Sequence, residues 1–129
     1  MNYVEARKAI EKAIELDPNV TQSWVTRARI RMASFLDDED GEDTIESDVA
    51  AYANKALAIH PDQASAYAVL YDMAAAKGDA AQRDIYKQKA LAAIDRDISL
   101  GQQERQSLRN YLEAEITVAQ VPDENTREK

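Results

Sequence analysis

A ten-residue pattern occurs twice in this chain and limits the folds that the chain can adopt. Residues 9–18, AIEKAIELDP, and residues 52–61, YANKALAIHP, share a lysine, an alanine, aliphatic side chains and a closing proline at matching positions. A third copy, residues 86–95, keeps the lysine and the alanine but ends in Asp95. Repetition on this scale indicates that one structural unit is stacked several times along the chain.

Each unit is predicted to be helical. Apolar side chains recur every three or four residues, and the chain contains only three glycines and three prolines, so few residues can end a helix. The spacing predicts an all-α domain over residues 1–120, followed by a polar, disordered tail over 121–129. Short connections predict that sequential helices are antiparallel neighbours. The six predicted helices are residues 2–16, 20–36, 44–59, 63–76, 80–95 and 99–119. On the last of them the predicted buried stripe is Leu108, Tyr111, Leu112 and Ile116.

The negative charge is concentrated in one segment. The net charge is −8, and residues 37–48 contain eight acidic residues and no lysine or arginine, so the other 16 acidic residues balance the 16 basic ones. The chain has no basic stripe of the kind that binds a phosphate backbone, so no nucleic-acid partner is predicted.

An acidic loop over residues 37–43 has several possible roles. A calcium-binding loop needs glycine at its sixth position and glutamate at its twelfth. If Gly41 is sixth, Ser47 is twelfth, so calcium is not predicted. The loop is interpreted as a solvated connection, as a docking patch for a basic partner, or as a flap that folds back onto Arg27 and Arg31 and controls access to a groove.

The residue types that usually carry catalysis are sparse. The chain has no cysteine and a single histidine, His60, which precedes Pro61 in a predicted turn. It also lacks a glycine-rich phosphate loop. We therefore predict no catalytic residues, no metal site and no cofactor. Its apolar runs are too short to cross a membrane. The prediction is a soluble protein, and the sequence does not decide between cytoplasm and periplasm.

The repeated pattern resembles the tetratricopeptide repeat, a helix–turn–helix unit of 34 residues. Asp95 follows Pro61 by 34 residues, whereas the interval from Pro18 to Pro61 is longer by about the length of the acidic loop, which is therefore interpreted as an insertion. Trp24 and Tyr67 occupy the position of the family's first-helix aromatic residue. The resemblance covers about residues 4–95, with degenerate repeats, and the helix over 99–119 is interpreted as a capping helix.

The resemblance implies a right-handed superhelix of helix pairs that holds a protein or peptide in a concave groove. The implied function is non-catalytic protein–protein interaction, as a scaffold within a larger bacterial assembly factor or tethering protein. The family's clamp for a C-terminal carboxylate is not expected, because Val25, Ser65 and Val69 occupy its positions. The groove positions carried over are Gln22, Val25, Arg29, Met32, Ser65, Ala68, Asp72 and Ala75. A slight slip of register adds Gln103, Gln106, Asn110 and Glu113 from the last helix.

The alignment with the family also makes residues 2–16 the second helix of a repeat whose first helix is absent. The apolar face of this helix is then expected to need a cover, either from a longer protein or from another chain. The alternative function is accordingly a structural segment that self-associates through the first helix. A further alternative is a regulatory or targeting domain attached to an enzyme.

Overall fold

The computed structural model describes residues 3–33 and 42–127, with side chains described over 3–33 and 44–114. These residues form six helices and no strand, which confirms the predicted all-α class. The helices are α1 (Tyr3–Leu16), α2 (Thr21–Ala33), α3 (Glu42–Ile59), α4 (Ala64–Lys77), α5 (Ala80–Ile94) and α6 (Gln102–Arg127).

Two boundaries bear on the predicted domain limits. Residues 37–41 of the predicted acidic loop lie outside the described residues, and Glu42 and Asp43 form the start of α3. Helix α6 begins at Gln102 and continues through Pro122 to Arg127, past residue 121, where the tail was predicted to begin.

The turn at Gly78 and Asp79 ends one helix and begins the next. Gly78 has φ 77°, the left-handed conformation that closes a helix, and backbone N–H groups at this end bond to the carbonyls of Ala74 and Ala75. Asp79 then accepts a hydrogen bond from the backbone N–H of Gln82 at 3.0 Å and so caps α5. This turn joins α4 to α5 within two residues and brings the two helices into close contact.

Each helix packs mainly against its neighbours in sequence, and α2 also contacts α4. The buried apolar side chains form two clusters, one between α2, α3 and α4 and one between α4, α5 and α6. This arrangement is the one expected of stacked helix pairs. The handedness of the superhelix stays a prediction.

Helix α4 takes part in both clusters and is the most buried helix. Its buried residues are Ala64, Ala66, Ala68, Val69, Leu70, Tyr71, Met73 and Ala74. Half of these are alanines, whose small side chains allow neighbouring helices to approach closely. Helix α1 is the opposite case, because it contributes no fully buried residue.

The N-terminus of α4 is held by a carboxylate from another part of the chain. The N-cap residue Gln63 makes no side-chain capping bond. Instead Asp97, which is fully buried in the connection between α5 and α6, accepts a hydrogen bond from the backbone N–H of Ala64 at 2.9 Å. Asp97 also accepts bonds from the N–H and hydroxyl of Ser99, and its own carbonyl accepts one from Arg105. The carboxylate therefore fastens the connection before α6 to the start of α4, and the backbone carbonyl of the same residue bonds to α6 itself.

We expect Asp97→Ala to lower the free energy of unfolding by about 2–4 kcal/mol, because it leaves the buried N–H of Ala64 and the part-buried donors of Ser99 without their acceptor. Urea denaturation followed by circular dichroism measures this loss. The matched control is Asp95→Ala, which removes a 74% exposed side chain that pairs with Arg109, and it should cost less than about 1 kcal/mol. Equal losses in the two variants would contradict the anchoring role of Asp97.

Candidate functional site

An open groove of about 700 Å³ lies between α2, α4 and α6. Arg29 lines it from α2, and Ala68 and Asp72 line it from α4. Its third wall is α6, which contributes Gln103, Glu104, Ser107, Leu108 and Tyr111. We call this surface the α2–α4–α6 groove.

Helical spacing places these residues on the groove. Ala68 and Asp72 are four residues apart and share one face of α4, and on α6 the rows 103–107–111 and 104–108 follow the same spacing. Ala68 is 1% exposed and forms part of the floor. Because the alanine side chain is small, it does not fill the groove at this position, as a larger side chain would.

Asp72 is the polar centre of the groove. One of its oxygens, Oδ1, accepts a hydrogen bond from the Tyr111 hydroxyl at 2.5 Å. Its other oxygen, Oδ2, lies 3.8 Å from Nη1 of Arg29, which is an ion-pair distance but too long for a hydrogen bond. The Arg29 side chain is 44% exposed, so its guanidinium presents hydrogen-bond donors to the open space.

The second carboxylate of the groove, Glu104, also holds α6 in place. Its Oε1 accepts a hydrogen bond from the backbone N–H of Gly101 at 2.7 Å. This is the reciprocal half of a capping box, in which the third residue of a helix bonds back to the residue before the helix. The groove is therefore lined by one guanidinium and two carboxylates, each carboxylate also engaged within the protein.

Tyr111 lies at the surface of the groove, 44% exposed, so its predicted place in the buried stripe of the last helix is wrong. The physical reason is its bond to Asp72 on α4, which a tyrosine buried beneath α6 could not make. The ring also packs edge-on against the buried Tyr71, with centroids 6.3 Å apart. Leu112, its neighbour in sequence, is fully buried as predicted.

The eight groove positions predicted from α2 and α4 fall into three groups. Arg29, Ala68 and Asp72 line the groove. Val25 is fully buried in the first core cluster and Met32 packs against the same cluster, so both side chains face the core. The remaining positions are Gln22, Ser65 and Ala75, none of which is among the groove-lining residues.

Gln22 and Ser65 both bond to the side chain of Gln63. The side-chain amide of Gln63 donates hydrogen bonds to Gln22 Oε1 at 3.3 Å and to Ser65 Oγ at 2.8 Å. These bonds link the N-terminal ends of α2 and α4. Ala75 is half-buried near the other end of α4. Contact of any of these residues with a partner stays a prediction.

On α6, Gln103 lines the groove as the slipped register predicts. Gln106 and Asn110 bond to each other at 2.9 Å and, like the exposed Glu113, are not among the groove-lining residues. The sequence prediction missed four lining residues, although their four-residue spacing was available as a signal. They are Glu104, Ser107, Leu108 and Tyr111.

Arg27 and Arg31, the predicted targets of the acidic loop, are buried and bonded to other helices. Arg27 donates to Glu11 of α1 at 3.0 Å, and its guanidinium lies 4.5 Å from the ring centroid of Tyr52. Arg31 donates to Asp48 of α3 at 2.9 Å. Both arginines thus help to hold α2 between α1 and α3. Contacts with residues 37–41 lie outside the described residues, so the flap remains a hypothesis.

Two features are absent from the part of the chain that the structure describes. Over residues 3–33 and 44–114, whose side chains are described, no three His, Asp or Glu residues are arranged to hold a metal ion. Over residues 3–33 and 42–127, no helix combines the length and the apolar character needed to cross a membrane.

Comparison with known proteins identifies no family. A scan against protein-family models gives no match to this chain, and a search of curated proteins finds no relative. The resemblance to tetratricopeptide repeats therefore rests on the residues described above and stays a prediction.

We expect the Tyr111–Asp72 hydrogen bond to couple α6 to α4 energetically. A double-mutant cycle with Tyr111→Phe, Asp72→Ala and the double variant should give a coupling energy of about 1 kcal/mol in urea denaturation, because alanine leaves no acceptor for the hydroxyl. In the control cycle, Asp72→Ala is replaced by Asp84→Ala, at an exposed position on α5, and the coupling should not exceed about 0.5 kcal/mol. Similar coupling energies in the two cycles would show that the Tyr111–Asp72 hydrogen bond does not couple α6 to α4 specifically.

Proposed function

We propose that this chain is a non-catalytic interaction module that holds a peptide segment of a partner protein in the α2–α4–α6 groove. The observation that carries the proposal is the groove itself, an open space of about 700 Å³ at which three helices converge. Its volume falls in the range of roughly 300–1,000 Å³ that is usual for ligand sites.

The chemistry of the walls supports a peptide as the occupant. An extended peptide carries one backbone donor and one backbone acceptor per residue, and these groups lose free energy if they leave water without a partner. Gln103 and Ser107 offer both donors and acceptors from one wall, and Arg29 offers donors from the opposite one. Leu108 and the exposed ring of Tyr111 provide an apolar surface for a side chain between these polar groups.

The framework of the groove supports binding without large rearrangement. Helix α4 is buried along most of its length, and α6 is fastened to it by Asp97, Leu112 and the Tyr111 hydroxyl. A wall that is already ordered loses little conformational entropy when a ligand binds, which favours affinity.

The proposal predicts that random peptides displayed on phage will be enriched by the immobilised chain and that the selected peptides bind in the groove. Binding of a synthetic selected peptide is then measured by calorimetry. Arg29→Glu and Asp72→Arg should each weaken it by about tenfold or more, equivalent to about 1.4 kcal/mol. The matched control is Arg83→Glu on α5, outside the groove-lining residues, and it should leave affinity within about twofold.

Either of two results would count against the proposal. One is the absence of any enriched peptide. The other is a peptide whose affinity is changed equally by Arg29→Glu and Arg83→Glu, since such a peptide would bind elsewhere or through general charge. Circular dichroism of each variant separates a lost binding surface from a lost fold.

A further inference from the structure

One position of α1 is exposed although the same position is buried in the other two repeat copies. Ala13 corresponds to Ala56 on α3 and to Ala90 on α5 in the repeated pattern. Ala56 and Ala90 are both 0% exposed, whereas Ala13 is exposed. Alanine at this position of the repeat is therefore buried in two copies and exposed in the third.

The cover on α3 and α5 comes from the preceding helix in each case. Helix α2 packs on α3 and α4 packs on α5, and the Thr21 hydroxyl of α2 bonds to the backbone carbonyl of Ala56 at 2.8 Å. Among the described helices, α1 packs mainly on α2, with Tyr3, Ala6, Ile10 and Ile14 half-buried. The other edge of the apolar face of α1 consists of Ala9, Ala13 and Leu16, which we call the alanine flank. All three residues are exposed, and Leu16 is 74% exposed.

Two opposite charges border the alanine flank on one side. Viewed along the helix axis, Glu5 and Lys12 project in nearly the same direction, and they lie about two turns apart along the axis. Both are exposed. Lys12 lies 3.2 Å from Glu15 within the helix, but these two side chains are 66% and 72% exposed, and such pairs contribute little. Lys12 can therefore exchange this contact for another carboxylate at low cost.

We propose that the alanine flank is covered by the α1 helix of a second copy of this chain, in an antiparallel arrangement. An antiparallel pair centred near Ala9 sets Ala6 of one copy close to Ala13 of the other. It also sets Glu5 of each copy beside Lys12 of the other, on the same side of the interface. A two-fold axis generates both ion pairs from one geometry, as in any isologous interface.

Charge selects this arrangement over the other ways of pairing two such helices. In a parallel pair related by a two-fold axis along the helices, the charged borders of the two copies lie on opposite sides of the interface, so Glu5 and Lys12 meet no charge across it. In the antiparallel pair each charge meets its opposite, and the small alanines allow the two helices to approach closely. The flank is thus complementary to itself. The inference is independent of the α2–α4–α6 groove, because no residue of α1 lines that groove.

Sedimentation equilibrium of the wild-type chain tests the proposal. Twice the monomer mass is expected at high concentration, with reversible dissociation on dilution. Ala13→Arg places a charge within the interface, opposite Ala6 of the other copy, and should raise the dimer dissociation constant by at least about tenfold. The control Ala51→Arg makes the same change at an exposed position of α3 and should leave the mass unchanged. A wild-type chain that stays monomeric up to about 1 mM overturns the proposal.

A charge exchange tests the orientation. Glu5→Lys and Lys12→Glu should each weaken self-association by at least about tenfold, because each variant sets like charges together. An equal mixture of the two variants should restore a mixed dimer with near wild-type affinity. In that dimer both positions of one chain are basic and both positions of the other are acidic, so each contact again joins opposite charges. A mixture that associates no better than its components overturns the antiparallel pairing, as does an assembly larger than a dimer.

Discussion

The buried start of α4 requires acceptors for its backbone N–H groups, and the Asp97 carboxylate provides one from 33 residues along the chain. Because α4 belongs to both core clusters, its position sets the positions of the helices on each side. The same carboxylate accepts bonds from Ser99 in the connection that leads into α6, and the backbone carbonyl of Asp97 accepts one from Arg105 of α6. Asp97 thus helps to hold the third wall of the α2–α4–α6 groove in place.

The parts of the fold that follow from local spacing were predictable from the sequence. The helices and the Gly78–Asp79 turn follow from apolar periodicity and from the left-handed conformation that glycine adopts. The role of Asp97 was not predictable in this way. Its bond to Ala64 depends on a contact between distant parts of the chain, and a polar residue between two helices is ordinarily assigned to the surface.

The candidate site was only partly predictable for a related reason. Repeat position identified Arg29 and Asp72, because both lie on the helix faces that meet α6. The same reasoning placed Val25 on the surface, whereas packing between α2, α3 and α4 buries it. On α6 the apolar spacing assigned Tyr111 to the core. A tyrosine satisfies an apolar pattern with its ring and a polar surface with its hydroxyl, so spacing alone cannot place it.

The absence of any fully buried residue in α1 also affects how the molecule opens. Helices that contact mainly their neighbours in sequence can detach from the end of a stack without exposing the rest of the core. Detachment of α1 uncovers part of α2, while the cluster between α4, α5 and α6 keeps all its members. The stability of the described helices is therefore graded, and the amide hydrogens of α1 are expected to exchange with solvent faster than those of α4.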